Sequence, residues 1–76
     1  MNINITSIYN YLKSFKNKTE AQNIAEHDLD YIYMVGFIYN REDGKKALTN
    51  LGHIALLGSL DNFVLFFQLT YLKNQK

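Results

Sequence analysis

Val35-Gly36-Phe37-Ile38-Tyr39-Asn40-Arg41-Glu42-Asp43-Gly44-Lys45-Lys46-Ala47-Leu48-Thr49-Asn50-Leu51-Gly52 is the stretch on which the fold turns. Gly36 supplies a helix stop. Beyond it, Phe37-Ile38-Tyr39 is β-branched and aromatic, Asn40 to Gly44 is turn chemistry, and Lys45-Lys46-Ala47-Leu48 leads back. Asp-Gly between two short runs is a strong hairpin signal, because such turns need backbone angles that glycine adopts freely. Thr49 then offers its hydroxyl to an unpaired N–H in the first turn of a helix from Asn50 onward. Helix, hairpin, helix is the predicted order, in a chain that is mainly α with one small β-hairpin.

N-terminal to this stretch, Ile5, Ile8, Tyr9, Leu12 and Phe15 recur at spacings of three and four, one face of an amphipathic helix. Thr6 or Ser7 is the expected cap, and Lys16-Asn17-Lys18 the break. A second helix is predicted over residues 19–34. Thr19 would cap it, Glu20 would complement its dipole, and Ala21, Ala25, Leu29, Ile32 and Tyr33 would form its inner face. A break near His27-Asp28 would divide it into two short helices.

C-terminal to the hairpin, Leu51, Ile54, Leu56, Leu57, Leu60, Phe63, Val64, Leu65, Phe66, Phe67, Leu69 and Leu72 cover nearly every side of one predicted helix. A helix apolar all round is buried all round, in a core, a membrane or against a partner. A chain of 76 residues is short of material to surround it. A second copy is therefore the expected cover, with Leu56, Leu60, Phe63, Phe66, Phe67 and Leu69 at the dimer interface. Gly52 and Gly58 within that helix each cost about 1 kcal/mol relative to alanine, which suggests close approach of another helix or a bend at Gly58.

The composition narrows the chemistry. There is no cysteine, hence no disulfide and no thiolate metal site, and His27 and His53 have no second ligand at a metal-binding spacing. Neither a metal nor any other cofactor is expected. No glycine-rich phosphate loop and no nucleophile with a matching base appears, so the chain is not read as an enzyme. The net charge of +1 is nearly balanced. Asp61, Asn62 and Gln68 interrupt the apolar segment and argue against a membrane span. Met1-Asn2-Ile3-Asn4 lacks the layout of a secretory signal, which leaves a cytoplasmic protein as the expectation.

The succession Ile32, Gly36-Phe37-Ile38, a charged hairpin, then Leu48-Thr49-Asn50-Leu51-Gly52 resembles winged helix-turn-helix DNA-binding proteins of the small dimeric type with a long C-terminal helix. The resemblance covers residues 29–56. It implies one winged-helix domain over residues 1–76, with helices and wing in 1–49 and a dimerisation helix in 50–76. It also implies that residues 19–34 include a recognition helix and that Arg41, Lys45 and Lys46 sit on the wing. Asn17, Lys18, Thr19, Gln22 and Asn23 are the candidate groove-reading residues at the helix start, since Asn and Gln pair with adenine edges. The wing cations would contact phosphates.

The function implied is a homodimeric, site-specific binder of double-stranded DNA, most simply a transcriptional regulator of plasmid or phage type. A centromere-binding adaptor in DNA partition is an alternative within the same class. Glu20, Glu26, Asp28 and Asp30 make the second helix acidic, which raises a further alternative: a phage-type inhibitor whose partner is another protein.

Overall fold

A computed structural model describes residues 3–18 and 23–73. Four helices and one hairpin follow in the order α1 (Ile5–Asn17), α2 (Glu26–Val35), β1 (Ile38–Asn40), β2 (Lys46–Leu48), α3 (Asn50–Ala55) and α4 (Leu60–Lys73). The protein is mainly helical, with a two-stranded antiparallel hairpin in the register Ile38↔Leu48, Tyr39↔Ala47 and Asn40↔Lys46.

The first helix starts at Ile5, before its predicted caps. Asn4, in extended conformation, accepts the Ser7 N–H at 3.1 Å, so the cap is neither Thr6 nor Ser7. An asparagine before the first apolar residue does this well because its short side chain reaches back to the first turn. The second helix is shorter than predicted. Residues 23–25 are not helical, and α2 begins at Glu26 after Ala25, which enters in extended conformation without a side-chain cap. Glu26 and Asp28 in its first turn complement the dipole instead. Thr19, Glu20, Ala21 and Gln22, on which the earlier start depended, lie outside the described residues.

The end of α2 is a Schellman closure. Gly36, at φ 84°, donates its N–H to the Tyr33 carbonyl at 3.1 Å, and Phe37 donates to Ile32 at 3.2 Å. Thr49 repeats the logic at the start of α3. Its hydroxyl oxygen accepts the Gly52 N–H at 3.0 Å and donates to the Gly36 carbonyl, while its own N–H reaches the Phe37 carbonyl at 2.9 Å. The two ends of the hairpin are thereby tied at one point. Gly52 is required there by space: a Cβ on it would lie 2.2 Å from the Phe37 carbonyl oxygen. The close approach inferred for this glycine is real, but it is to the hairpin backbone and not to another helix.

The long C-terminal helix is two helices. Gly58 takes φ 93°, a region that side chains other than glycine's rarely enter, and α3 ends before it. Ser59 then accepts the Asn62 N–H at 3.5 Å and opens α4. This break overturns the expectation that a second chain must surround the segment. After the bend α4 packs back on α1, α2 and α3, and its residues Phe63 and Phe67, one turn apart, are fully buried. Phe37 lies at the centre of that core, with ring centroids 6.0, 6.0 and 5.9 Å from Phe63, Phe66 and Phe67. Ile8 and Leu12 of α1 and Ile32 of α2 complete the wholly buried set. Burying each such side chain is worth about 1.5–3 kcal/mol.

Of the six residues assigned to a dimer interface, Leu56, Phe63 and Phe67 are thus spent inside the chain, and Leu60 and Phe66 are half-buried. Leu69 is exposed. The single-chain core also fixes two tyrosines. Burial, with a smaller contribution from Tyr33, raises the Tyr11 phenol above its ordinary pKa of 10.0. The Tyr71 phenol is raised chiefly by its 3.5 Å hydrogen bond to Tyr31.

Candidate nucleic-acid interface

The hairpin tip is closed by its own charges. Arg41 donates its backbone N–H to the Lys45 carbonyl at 2.7 Å, and the Asp43 carboxylate accepts from the Lys45 N–H at 3.0 Å. The other Asp43 oxygen lies 3.2 Å from the Arg41 guanidinium, with both side chains about half exposed. Such an exposed pair is worth about 0–1 kcal/mol and leaves the guanidinium able to meet a stronger anion. Tyr39, in the middle of β1, points away from the core and is 48% exposed. Its neighbour Asn40 accepts the Tyr33 hydroxyl at 2.6 Å, which holds the strand against α2.

The first helix delivers another cation to the same region. Lys18 ends α1 in the left-handed conformation at φ 56°, its N–H bonded back to Phe15 and Ser14, and its side chain is exposed. Packing of β2 on α1 then brings distant residues together. Phe15 and Lys18 from α1, Tyr39, Arg41 and Lys46 from the hairpin, and His53 from α3 line one open cleft of about 410 Å3. Three basic side chains, one imidazole and two aromatic rings in one concavity suit a phosphate-bearing chain. Cations meet phosphate oxygens, and rings offer faces on which sugars and bases rest.

Carboxylates lie both at the hairpin tip, as Glu42 and Asp43, and on α2. Of the described cations, Lys13, Lys16, Lys18, Arg41, Lys45 and Lys46 belong to α1 and the hairpin and Lys73 to α4, whereas α2 carries Glu26, Asp28 and Asp30 and no Lys or Arg. Asp28 is buried, while Glu26, His27, Asp30 and Met34 form the exposed side of α2.

The predicted site residues therefore divide. Lys18, Arg41 and Lys46 share the cleft, and Lys45 is exposed near the hairpin tip outside its lining. Asn17 is exposed at the end of α1 and Asn23 in the segment before α2, so neither lies on α2. Thr19 and Gln22 fall outside the described residues. Three cleft residues, Phe15, Tyr39 and His53, were not among the predicted ones. The outward register of Tyr39 in a three-residue strand was the one signal available for them. Among the described residues, no group of three or more histidines and carboxylates is arranged to hold a metal, and no helix is long and apolar enough to cross a membrane. The chain matches no protein-family model, no curated protein and no solved structure.

Proposed function

We propose that this chain binds double-stranded DNA by its phosphates, across the cleft between the end of α1 and the hairpin, and serves most simply as a transcriptional regulator. The observation that carries the reading is the convergence of Lys18, Arg41 and Lys46 with Tyr39 and His53 on one concave surface. The order α2, hairpin, α3 agrees with the helix–wing–helix succession that the winged-helix resemblance implies. In this reading the hairpin is the wing and sets the register on the backbone. The acidic side of α2 is kept away from the duplex, because carboxylates beside phosphates repel them.

The test is binding to an AT-rich duplex, followed by fluorescence anisotropy over a salt series. Three phosphate contacts give a log–log slope of about −3, and removing two of them in a K18Q/K46Q variant lowers its magnitude by about two. Absence of binding at low salt defeats the reading. Mapping the bound sites then separates a regulator, with one or two operators, from a partition adaptor, with an array. One observation favours a second reading. The exposed side of α2 has Glu26 and Asp30 with no cation of its own, a surface suited to a basic protein partner. That reading gains if duplex DNA is not bound.

A further inference from the structure

One group in the cleft differs in kind from its basic neighbours. His53 is exposed on α3 and lines the cleft with Lys18, Arg41 and Lys46. Its backbone is fixed by the start of that helix: the His53 N–H donates to the Thr49 carbonyl at 3.0 Å, and its carbonyl accepts the Leu56 N–H at 3.2 Å. Thr49 also ties the two ends of the hairpin, and Gly52 packs directly against the Phe37 carbonyl. The imidazole is therefore mounted on the joint from which the hairpin projects with Arg41 and Lys46. The ionisable groups that line the cleft with it are Lys18 of α1 and Tyr39, Arg41 and Lys46 of the hairpin. Among the described residues, no carboxylate lines this cleft. Glu42 and Asp43 lie at the hairpin tip, and Asp61 opens α4, the helix packed on α3. Tyr71 and Lys73 lie toward the other end of α4 and are not in the lining either.

We propose that His53 couples phosphate binding in this cleft to a proton, so that the ring is charged when a phosphate docks and the cleft binds more tightly below neutral pH than above it. This rests on the DNA-binding reading of the same cleft and adds control by pH to it. An anion within about 4–6 Å favours the charged form of an imidazole, because the two charges attract. By linkage, the charged ring favours the anion equally. The extra contact is present at low pH and is lost as the ring becomes neutral with rising pH. Carboxylates, lysine and arginine ordinarily keep their charge between about pH 5.5 and 8, so the imidazole is the side chain of this cleft that responds in that window. His27, the other histidine, stacks edge-on against Tyr31 of α2 at 4.9 Å and lies outside the cleft lining.

The test repeats the salt series on an AT-rich duplex, by fluorescence anisotropy of the whole chain, at about pH 5.5 and about pH 8. Each phosphate contact adds about 0.9 to the magnitude of the log–log slope, so the slope steepens by about one at the lower pH. At fixed salt the affinity rises about fivefold, the attraction of two unit charges about 4 Å apart in water. H53Q gives the same slope at both pH values. H53K, whose charge is fixed across this window, gives the steeper slope at both. H27Q keeps the pH response of the unaltered chain. The proposal alone is overturned if the unaltered chain binds with a slope that does not change with pH, or if H53Q still steepens at the lower pH. Absence of binding at both pH values instead defeats the DNA-binding reading, and this proposal with it.

Discussion

Gly52→Ala tests what holds the helix–hairpin–helix unit together. On an ordinary helix this replacement stabilises by about 1 kcal/mol, because glycine is a poor helix former. Here the new methyl would stand 2.2 Å from the Phe37 carbonyl oxygen, 3.1 Å from its carbon and 3.2 Å from a Leu48 methyl. A carbon and a carbonyl oxygen in favourable contact sit about 3.3–3.6 Å apart, so α3 or the strand must retreat by roughly 1 Å. The same carbonyl accepts the Thr49 N–H at 2.9 Å, and Thr49 also holds Gly36. Retreat therefore loosens the tie on both sides of the hairpin. Overpacking costs about 1–3 kcal/mol and a weakened buried hydrogen bond about 1–3 more. After subtracting the helix gain, the loss is about 1–5 kcal/mol. Stability of roughly 0.05–0.15 kcal/mol per residue gives a domain of this size about 4–11 kcal/mol in all. Far-UV circular dichroism should show melting lowered by about 4–8 °C for each kcal/mol lost, and urea unfolding a lower midpoint with the slope unchanged. A midpoint equal to or above that of the parent chain would refute the close-approach account.

Two further outcomes follow from the geometry. Tyr11 has a folded pKa above its ordinary value of 10.0, so its neutral form is the one the fold favours. The stability linked to it is complete below pH 10 and is lost as pH rises through the folded value. Urea midpoints measured from pH 9 upward should therefore fall less steeply in Y11F than in the parent chain, and parallel curves would show that Tyr11 has no part in the alkaline loss. The E26Q/D30N variant asks where α2 sits on DNA. With α2 turned away from the duplex its affinity should stay within about twofold of the parent, since exposed charges beyond a Debye length of about 10 Å are screened. A carboxylate 4 Å from a phosphate costs about 1 kcal/mol even in water, so a gain of tenfold or more would place α2 in the groove.

What could be read along the chain was the chemistry of sharp local events. Gly36, the Asp43-Gly44 turn and the Thr49 cap each act through neighbours a few residues away, and each has the predicted role. The misplaced boundaries have a common cause. Ala25 starts α2 without a capping side chain, while Thr19 and Glu20 offered a better start in sequence, so capping preference pointed upstream of the helix that packing selects. On the C-terminal segment the apolar residues cover all sides, and a pattern without a polar side cannot say which face turns inward. That choice was made by Gly58, whose bend returns Phe63 and Phe67 to Phe37 and leaves Leu65 and Leu69 outside. The cleft was legible only in part. Lys46 and Arg41 belonged to a recognisable hairpin, but their meeting with Lys18 and His53 depends on β2 packing against α1, which no local signal encodes.

The placement of charge bears more on function than its total. A net charge of +1 predicts no attraction to a polyanion, yet that number averages an α2 with carboxylates and no Lys or Arg against a cleft that three cations line. Fields near a protein are set by the closest charges, because salt at about 0.15 M damps an exposed charge within roughly 8 Å. A duplex that meets the cleft therefore experiences Lys18, Arg41 and Lys46 together with the hairpin's Glu42 and Asp43, and little of Glu26 or Asp30 if α2 is turned away. A duplex that meets α2 first experiences the carboxylates and is repelled. The cleft, with its cations drawn from the end of α1 and from the hairpin, depends on the packing of one against the other. Loss of the Phe37-centred core would scatter those cations without changing the charge of the chain. DNA affinity and folding should consequently fall together in core variants, and separately in variants of the exposed lysines.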